Sequence, residues 1–147
     1  MSETVQIPTV NLSEDEIHAL LKEARTIAVV GLSSNPERES FHVAEYMLKK
    51  GYRIIPVNPM YPEVLHQVAY PSLTAVPKGE RIDIVDVFRR PEEVPAIVEE
   101  AIAVGAGALW LQAGIVNNAA AQKAAAAGMK VVQNLCLYMA HRRFFPQ

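Results

Sequence analysis

Short apolar runs alternate along the chain with longer segments whose apolar positions repeat at helical spacing. An unbroken apolar run of this kind is typical of a strand buried on both faces of a parallel sheet, and the longer amphipathic segments are typical of helices packed on it. The predicted strands occupy residues 27–30, 53–57, 82–87, 108–111 and 129–132. The predicted helices occupy about residues 14–25, 41–50, 92–105, 118–128 and 135–143.

Local signals mark several of these boundaries. Ser13 and Glu16 have the spacing of a capping box, and Gly51 follows a lysine pair as the residue that ends a helix. Residues 1–12 contain a proline and no clear period, so they are predicted to form an extended arm. Residues 60–78 are rich in proline and aromatic side chains and are predicted to be an ordered loop with a short helix at 72–75.

The alternation predicts one α/β domain over residues 1–147, a Rossmann-like doubly wound parallel sheet of five strands with helices on both faces. The expected strand order is 3-2-1-4-5, counted along the chain. Ligands bind such sheets beyond the carboxyl ends of the strands, where the winding direction reverses. The first and fourth strands are therefore expected side by side, with loops 31–38 and 112–115 facing one pocket.

Charge and composition narrow the class of protein. The formal net charge of −2 supplies no global basic field for nucleic acid or a membrane surface, and no apolar run is long enough to span a bilayer. The amino terminus lacks the basic start and apolar core of a signal peptide, and a single cysteine excludes an intramolecular disulfide. We therefore expect a cytoplasmic protein that binds neither nucleic acid nor membrane.

The stretch 26–40 predicts an anion site. A strand, Gly31, a short polar loop and a helix start would direct backbone N–H groups and a helix dipole at one place, and Arg38 adds a full charge. The stretch departs from the G-x-G-x-x-G fingerprint at Ser33 and Pro36, and Asn58 stands where NAD sites usually carry an acid. A nucleotide phosphate other than that of NAD is the first candidate ligand. The alternative is a Ser/Asn-rich turn with no ligand.

Other candidate groups form no obvious catalytic constellation. Arg89 and Arg90 follow the third strand and suit phosphates or a solvated helix start, while Phe88 suits either a base or the core. The four histidines are scattered without metal-ligand spacing, so no metal site is expected. Asp86 and Cys136 are the remaining candidates for chemistry, although a lone cysteine is usually a small core residue.

Motifs at the strand ends resemble the small stand-alone CoA-binding proteins, a family similar to the N-terminal domain of the succinyl-CoA synthetase alpha subunit. The resemblance covers about residues 14–143. It is carried by VVGLS at 29–33, PERES at 36–40, IPVNP at 55–59, DVFR at 86–89, LWLQAG at 109–114 and NLC at 134–136.

The resemblance implies coenzyme A as the cofactor and a non-catalytic role, because the synthetase's phosphate-carrying histidine belongs to a domain that these motifs do not include. The loop after the first strand would hold the CoA phosphates, and the residues after the fourth strand would lie towards pantetheine. The implied CoA-binding residues are Gly31, Leu32, Ser33, Ser34, Asn35, Arg38, Ser40, Asn58, Pro59, Tyr61, Phe88, Arg89, Arg90, Gln112, Ala113 and Gly114.

Two other functions stay open at this point. One is an enzyme that acts on a CoA thioester or another nucleotide through Asp86 or Cys136. The other is a subunit that docks on a protein partner, and a homo-oligomer is equally open. If Cys136 lies near the pantetheine thiol, a mixed disulfide with CoA is also conceivable.

Overall fold

The computed structural model describes residues 6–146 as a five-stranded parallel sheet in the order β2-β1-β5-β6-β7, flanked by helices. The strands are β1 (Thr26–Val30), β2 (Arg53–Val57), β3 (Glu63–Val64), β4 (Gln67–Val68), β5 (Ile84–Val87), β6 (Ala108–Leu111) and β7 (Lys130–Val132). The helices are α1 (Glu14–Glu23), α2 (Glu39–Lys49), α3 (Val94–Ala103), α4 (Asn118–Ala126) and α5 (Leu137–Phe144), with 3-10 turns at Leu73–Ala75 and Pro91–Glu93. The Rossmann-like α/β class predicted from the sequence is confirmed.

Two apolar layers cover the sheet. Alternate side chains of β1 point to opposite faces, so Ile27 and Val29 pack with α1, α2 and α5, whereas Ala28 and Val30 pack with α3 and α4. Every residue of β1, β5 and β6 is buried. This two-sided burial is the reason that these strands read as unbroken apolar runs.

The predicted strand order, 3-2-1-4-5, is wrong at the third strand. β5 pairs with β1 on one side and β6 on the other, so β2 is an edge strand. Pro56 in β2 fits an edge strand, because a central strand donates backbone N–H groups to neighbouring strands on both sides and proline has no N–H to donate. The Pro56 carbonyl accepts from the Tyr70 N–H at 3.0 Å, away from β1, whereas the next carbonyl, of Val57, accepts from Gly31. The missing N–H therefore falls outside the β1 ladder.

The long connection from β2 to β5 contains a small antiparallel hairpin that was not predicted. β3 and β4 are joined by Leu65 and His66, whose φ angles are 54° and 62°. A hairpin turn of this backbone shape is usually signalled by Asn-Gly or Gly, and neither is present here. The short helix predicted at 72–75 is confirmed as the 3-10 turn Leu73–Ala75.

The amino-terminal segment lies along the opposite edge of the sheet. The predicted capping box is confirmed: the Ser13 hydroxyl accepts from the Glu16 N–H, and the Glu16 carboxylate accepts from the Ser13 N–H. Before it, Leu12 donates to the Val131 carbonyl at 2.9 Å, which covers the exposed edge of β7. The predicted arm begins in residues 1–5, which lie outside the described residues. Within residues 6–146 no helix has the length and apolar character needed to cross a membrane.

Candidate functional site

The winding of the sheet reverses between β1 and β5. The chain leaves β1 towards α2 on one face and leaves β5 towards α3 on the other, so the loops after these strands diverge and leave a cleft at the sheet's carboxyl edge. The crevice was predicted between the first and fourth strands. That position is wrong, because β5 separates β1 from β6 and brings Phe88 and Arg89 into the middle of the cleft.

Gly31 allows the two central loops to approach closely. Its φ angle is 90°, and a Cβ atom there would lie 2.6 Å from the Phe88 carbonyl oxygen and 2.9 Å from Cδ of Arg89. Real Cβ atoms essentially never come within 3.0 Å of such atoms. The close contact between the turn after β1 and the turn after β5 therefore requires glycine at this position.

The polar loop after Gly31 is held by its own hydrogen bonds. The Ser40 hydroxyl accepts from the Ser33 N–H at 3.0 Å, the Ser33 hydroxyl accepts from the Asn35 N–H at 3.0 Å, and the Asn35 side chain accepts from the Glu37 N–H at 2.9 Å. These amides are therefore engaged within the loop. The first-turn amides of α2 at residues 39–41 have no intrahelical acceptor and are the donors best suited to an anion.

Asn58, the residue after β2, holds this loop in position through its side chain. Asn58 is buried, its side-chain N–H donates to the Leu32 carbonyl at 3.0 Å, and its side-chain oxygen accepts from the Met60 N–H at 2.9 Å. The same amide thus ties the loop after β1 to the loop after β2. Tyr61 lies beside the loop, and hydrogen bonding with Ser33 is the main effect lowering the pKa of its phenol.

Two arginines project from the turn after β5. Arg89 Nε donates to the Glu93 carboxylate at 3.0 Å, and Arg90 Nε donates to its other oxygen at 3.2 Å. Both guanidinium groups are exposed, so these ion pairs are only weakly stabilising and leave N–H groups for a ligand. An anionic ligand would compete with Glu93 for the two arginines.

Two cavities adjoin this arginine turn. One of about 600 Å³ extends from Glu39 at the start of α2 to the loop after β6. The other, of about 310 Å³, extends between Pro59 and Ile97 on the α3 face of the sheet. Arg89 and Glu93 line both cavities. A long ligand could therefore lie across the carboxyl edge with its anionic centre at Arg89.

The predicted residues after β6 form the far wall of the larger cavity. Gln112 is buried, whereas Ala113 and Gly114 are exposed in a turn closed by a 2.9 Å bond from the Ile115 N–H to the Gln112 carbonyl. The Gly114 N–H donates to the Asn134 side chain at 2.7 Å, which fixes this turn against the segment before α5.

The fold gathers the sequence-predicted residues at one edge but gives them different surroundings. Leu32, Ser40 and Asn58 are buried and hold the loops in position. The remainder border the cleft or the polar loop, with at least part of each residue exposed except for Gln112.

A family model described as a CoA binding domain matches residues 25–142. The chain belongs to this CoA binding domain family. The Bacillus subtilis (strain 168) protein YneT is 43% identical over 131 residues, which are 89% of this chain and 96% of YneT. A solved structure from Pyrococcus horikoshii OT3 has a TM-score of 0.87 and 39% identity, covering 98% of this chain and 99% of that one. Another from Thermus thermophilus has a TM-score of 0.83 and 37% identity, covering 91% of this chain and all 100% of that one. The family resemblance read from the strand-end motifs is confirmed.

The CoA binding domain carries a buried acid beneath the cleft. Asp86 is fully enclosed, and neither carboxylate oxygen has a hydrogen-bond partner among residues 6–146. Burial, with a smaller contribution from the Glu39 charge, raises the pKa of Asp86 well above its usual value. The folded protein therefore holds the proton of this carboxyl group to a higher pH than an ordinary aspartate does.

Asp86 and Gln112 point to the same face of the sheet. Asp86 pairs in register with Trp110, and Gln112 follows Trp110 by two residues, so both side chains lie under α2 and α5. The Gln112 side-chain oxygen accepts from the Leu137 N–H at 3.1 Å, while its Nε2 has no partner in the described part of the chain. Gln112, the polar side chain in the cavity wall at this end of the site, is neutral, in contrast to the arginine turn.

Two contributors to the cleft were missed from the sequence. Glu93 lies four residues after Arg89 and three after Arg90, a spacing at which opposite charges meet on a helical turn, so this pairing could have been predicted. Asn134 adopts a left-handed φ of 59°, and its side chain accepts a hydrogen bond from the Gly114 N–H, 20 residues earlier in the sequence. No local pattern signals that contact. Nowhere in residues 6–146 do three or more His, Cys, Asp or Glu side chains cluster as metal ligands would.

Proposed function

We propose that this domain binds coenzyme A, or an acyl-CoA, across the cleft between β1 and β5 without carrying out a reaction on it. The observation that carries the proposal is the junction of two cavities at Arg89, where the start of α2 and the β5 turn converge. Membership of the CoA binding domain family supports the choice of ligand.

The charge distribution fits an elongated ligand with a phosphorylated centre. CoA has a 3′-phosphorylated adenosine, a pyrophosphate and a neutral pantetheine arm. Arginine forms strong charge-assisted bonds with phosphate oxygens, so Arg89 and Arg90, with the first-turn amides of α2, suit the phosphates. Arg38 lies at the N-cap position of α2 and is exposed, so it is available to the same group.

The two cavities suit the two ends of that ligand. The smaller one is lined by Pro59, Leu73 and Ile97, apolar side chains against which an adenine ring could pack. The larger one ends at Gln112 and Ala113, where neutral groups predominate over cations. We therefore assign adenosine to the α3 side and pantetheine to the β6 side.

The non-catalytic part of the proposal rests on Asp86. Its carboxyl group is sealed from solvent and does not border either cavity, so it does not meet a thioester bound in the cleft. Incubation with acetyl-CoA, followed by a colorimetric assay for free thiol, should show no release above the rate without protein. Turnover that disappears in an Asp86→Asn variant would instead support an enzyme.

Calorimetric titration tests the binding directly. CoA is expected to bind, and dephospho-CoA, which lacks the 3′-phosphate, is expected to bind more weakly. Arg89→Ala should weaken CoA binding by about tenfold, the lower end for a charged hydrogen bond, because Glu93 already competes for this side chain.

Arg81→Ala is the matched control for that substitution. Arg81 is exposed and forms an ion pair with Asp83 at 3.0 Å. It precedes β5, so it lies at the amino ends of the strands, away from the cleft. Its loss should leave the affinity for CoA unchanged. Equal losses in both variants would indicate a general charge effect, and no heat with CoA at millimolar concentration would refute the proposed function.

A further inference from the structure

One side of α3 forms a wall of the smaller cavity. Four residues at helical spacing contribute to this wall: Glu93, Ala96, Ile97 and Glu100. Glu93 begins the row beside Arg89, which also lines the cavity. Glu100 ends the row two helical turns later, about 10 Å along the helix axis. The two carboxylates therefore lie towards opposite ends of one cavity.

Glu100 differs from Glu93 in its electrostatic surroundings. Glu93 is paired with Arg89 and Arg90, whereas no cation among residues 6–146 lies within ion-pair distance of Glu100. Oε1 of Glu100 accepts from the Leu73 N–H at 2.8 Å, which is the only hydrogen bond of this carboxylate within the described residues. The side chain is half-buried in the cavity wall, so Oε2 is an acceptor to which the protein presents no donor.

The surroundings of this acceptor suit a flat base that carries an amine. Pro59, Leu73 and Ile97 line the same cavity with apolar side chains, against which a ring could pack. Among the purines, adenine presents an N–H donor on its exocyclic amine, whereas guanine and hypoxanthine present a carbonyl oxygen at that position. A carboxylate accepts hydrogen bonds and cannot donate one, so it distinguishes these two groups.

We propose that Glu100 makes the site selective for adenine by accepting a hydrogen bond from the exocyclic amine of the base. The inference rests on the proposed function, since it requires the adenosine end of CoA in the smaller cavity. A carbonyl oxygen in place of the amine would face Oε2 with no proton between the two acceptors. The charge of Glu100 also repels phosphate groups, which favours a ligand orientation with the phosphates at Arg89.

Calorimetric titration of the full chain with CoA and with its hypoxanthine analogue tests this selectivity. The two ligands carry the same phosphates and the same pantetheine arm, and they differ only in the six-membered ring of the base, where a carbonyl oxygen replaces the amine. The wild type is expected to bind CoA about tenfold more tightly than the analogue, the lower end for a hydrogen bond to a charged group. A site built around a donor on its ligand discriminates in this way because the analogue leaves the acceptor unpaired.

Glu100→Gln distinguishes recognition of the base from support of the Leu73 turn. Oε1 of the new side chain can still accept from the Leu73 N–H, so an Nε2 donor takes the place of the Oε2 acceptor. The preference for CoA over the hypoxanthine analogue should therefore disappear or reverse. Glu99→Gln is the matched control, since it removes the same charge from the preceding residue, which is exposed and paired with Lys123. This control should keep the preference of the wild type.

The outcomes separate this inference from the proposed function. If the wild type binds CoA and the hypoxanthine analogue equally well, or if Glu100→Gln keeps the wild-type preference, selectivity through Glu100 is refuted and CoA binding stands. If Glu100→Gln does not fold, the comparison of the two ligands on the wild type decides the inference. If the wild type binds neither ligand at millimolar concentration, both proposals are refuted.

Discussion

Replacing Gly31 with alanine should disrupt the contact on which the cleft depends. A Cβ atom at this position would lie 2.6 Å from the Phe88 carbonyl oxygen, so the backbone must move by several tenths of an ångström. The φ angle of 90° adds a separate cost, because non-glycine residues are strained in this region. That strain is worth about 1–2 kcal/mol. Overpacking of a buried contact costs about 1–3 kcal/mol.

Together these effects predict that Gly31→Ala lowers the free energy of unfolding by about 2–5 kcal/mol. For a chain of this length each kcal/mol lowers Tm by about 3 °C, so the expected loss is roughly 6–15 °C. Circular dichroism during thermal and urea unfolding measures both quantities. Because Phe88 and Arg89 must shift, the affinity for CoA should fall as well.

Two other glycines separate the contributions. Gly128 has a φ of 95° and open space around its hypothetical Cβ, so Gly128→Ala measures the backbone strain alone. At Gly107, a Cβ would lie 3.0 Å from the Asp83 carbonyl oxygen without a positive φ, so Gly107→Ala measures a close contact alone. Gly31→Ala should be at least as destabilising as the two controls combined. If it costs no more than Gly128→Ala, the close approach of the two loops is refuted.

Two further predictions concern the polar groups behind the cleft. Asp86→Asn should remove a pH dependence: since the folded state holds the proton of this carboxyl more tightly than the unfolded state, wild-type stability falls as pH rises above about 4, until the folded-state pKa is passed. The Tm of the variant, relative to that of the wild type, should therefore rise between pH 4 and pH 8. A difference in Tm that does not change with pH would contradict the buried, unpartnered state of Asp86. Asn58→Ala should cost roughly 2–4 kcal/mol in urea unfolding, because it leaves two backbone groups without their hydrogen bonds, whereas Asn35→Ala on the exposed loop should cost less than about 1 kcal/mol. Equal losses would show that the Asn58 bonds do not hold the two loops together.

The helices and strands were predicted well from the sequence, because the central strands are buried on both faces and clear local signals mark the element boundaries. β2 and β6 begin and end at the predicted residues, and the capping box at Ser13 marks the start of α1. Each of these features depends on a local pattern: an apolar run, or a hydroxyl three residues before a carboxylate. Local patterns can be read without knowing which elements are neighbours.

The strand order could not be read in the same way, because it depends on where a long connection returns to the sheet. Residues 58–83 contain no helix of ordinary length to indicate the side on which β5 enters. The one available signal was Pro56, whose missing N–H restricts β2 to an edge. The correction moves the cleft from the β1–β6 boundary to the β1–β5 boundary.

The side-chain contacts of the site were predicted only in part. Clustering of the motif residues at the carboxyl edge follows from parallel topology, whichever strand is central. The engagement of Ser33 and Asn35 within their own loop, and of Asn58 with two backbone groups, depends on distances that spacing does not encode. Residues expected to touch a ligand thus also shape the loops that would receive it.

A titration of ¹⁵N-labelled protein with CoA, followed by amide NMR spectra, tests most directly whether this cleft is the CoA site. Saturable shifts are expected at residues 31–41, 88–93 and 112–115. Little change is expected at residues 22–25 and 104–107, which lie at the amino ends of the strands. Saturable shifts confined to the amino ends of the strands, or no saturable shifts at millimolar CoA, would contradict binding in the cleft between β1 and β5.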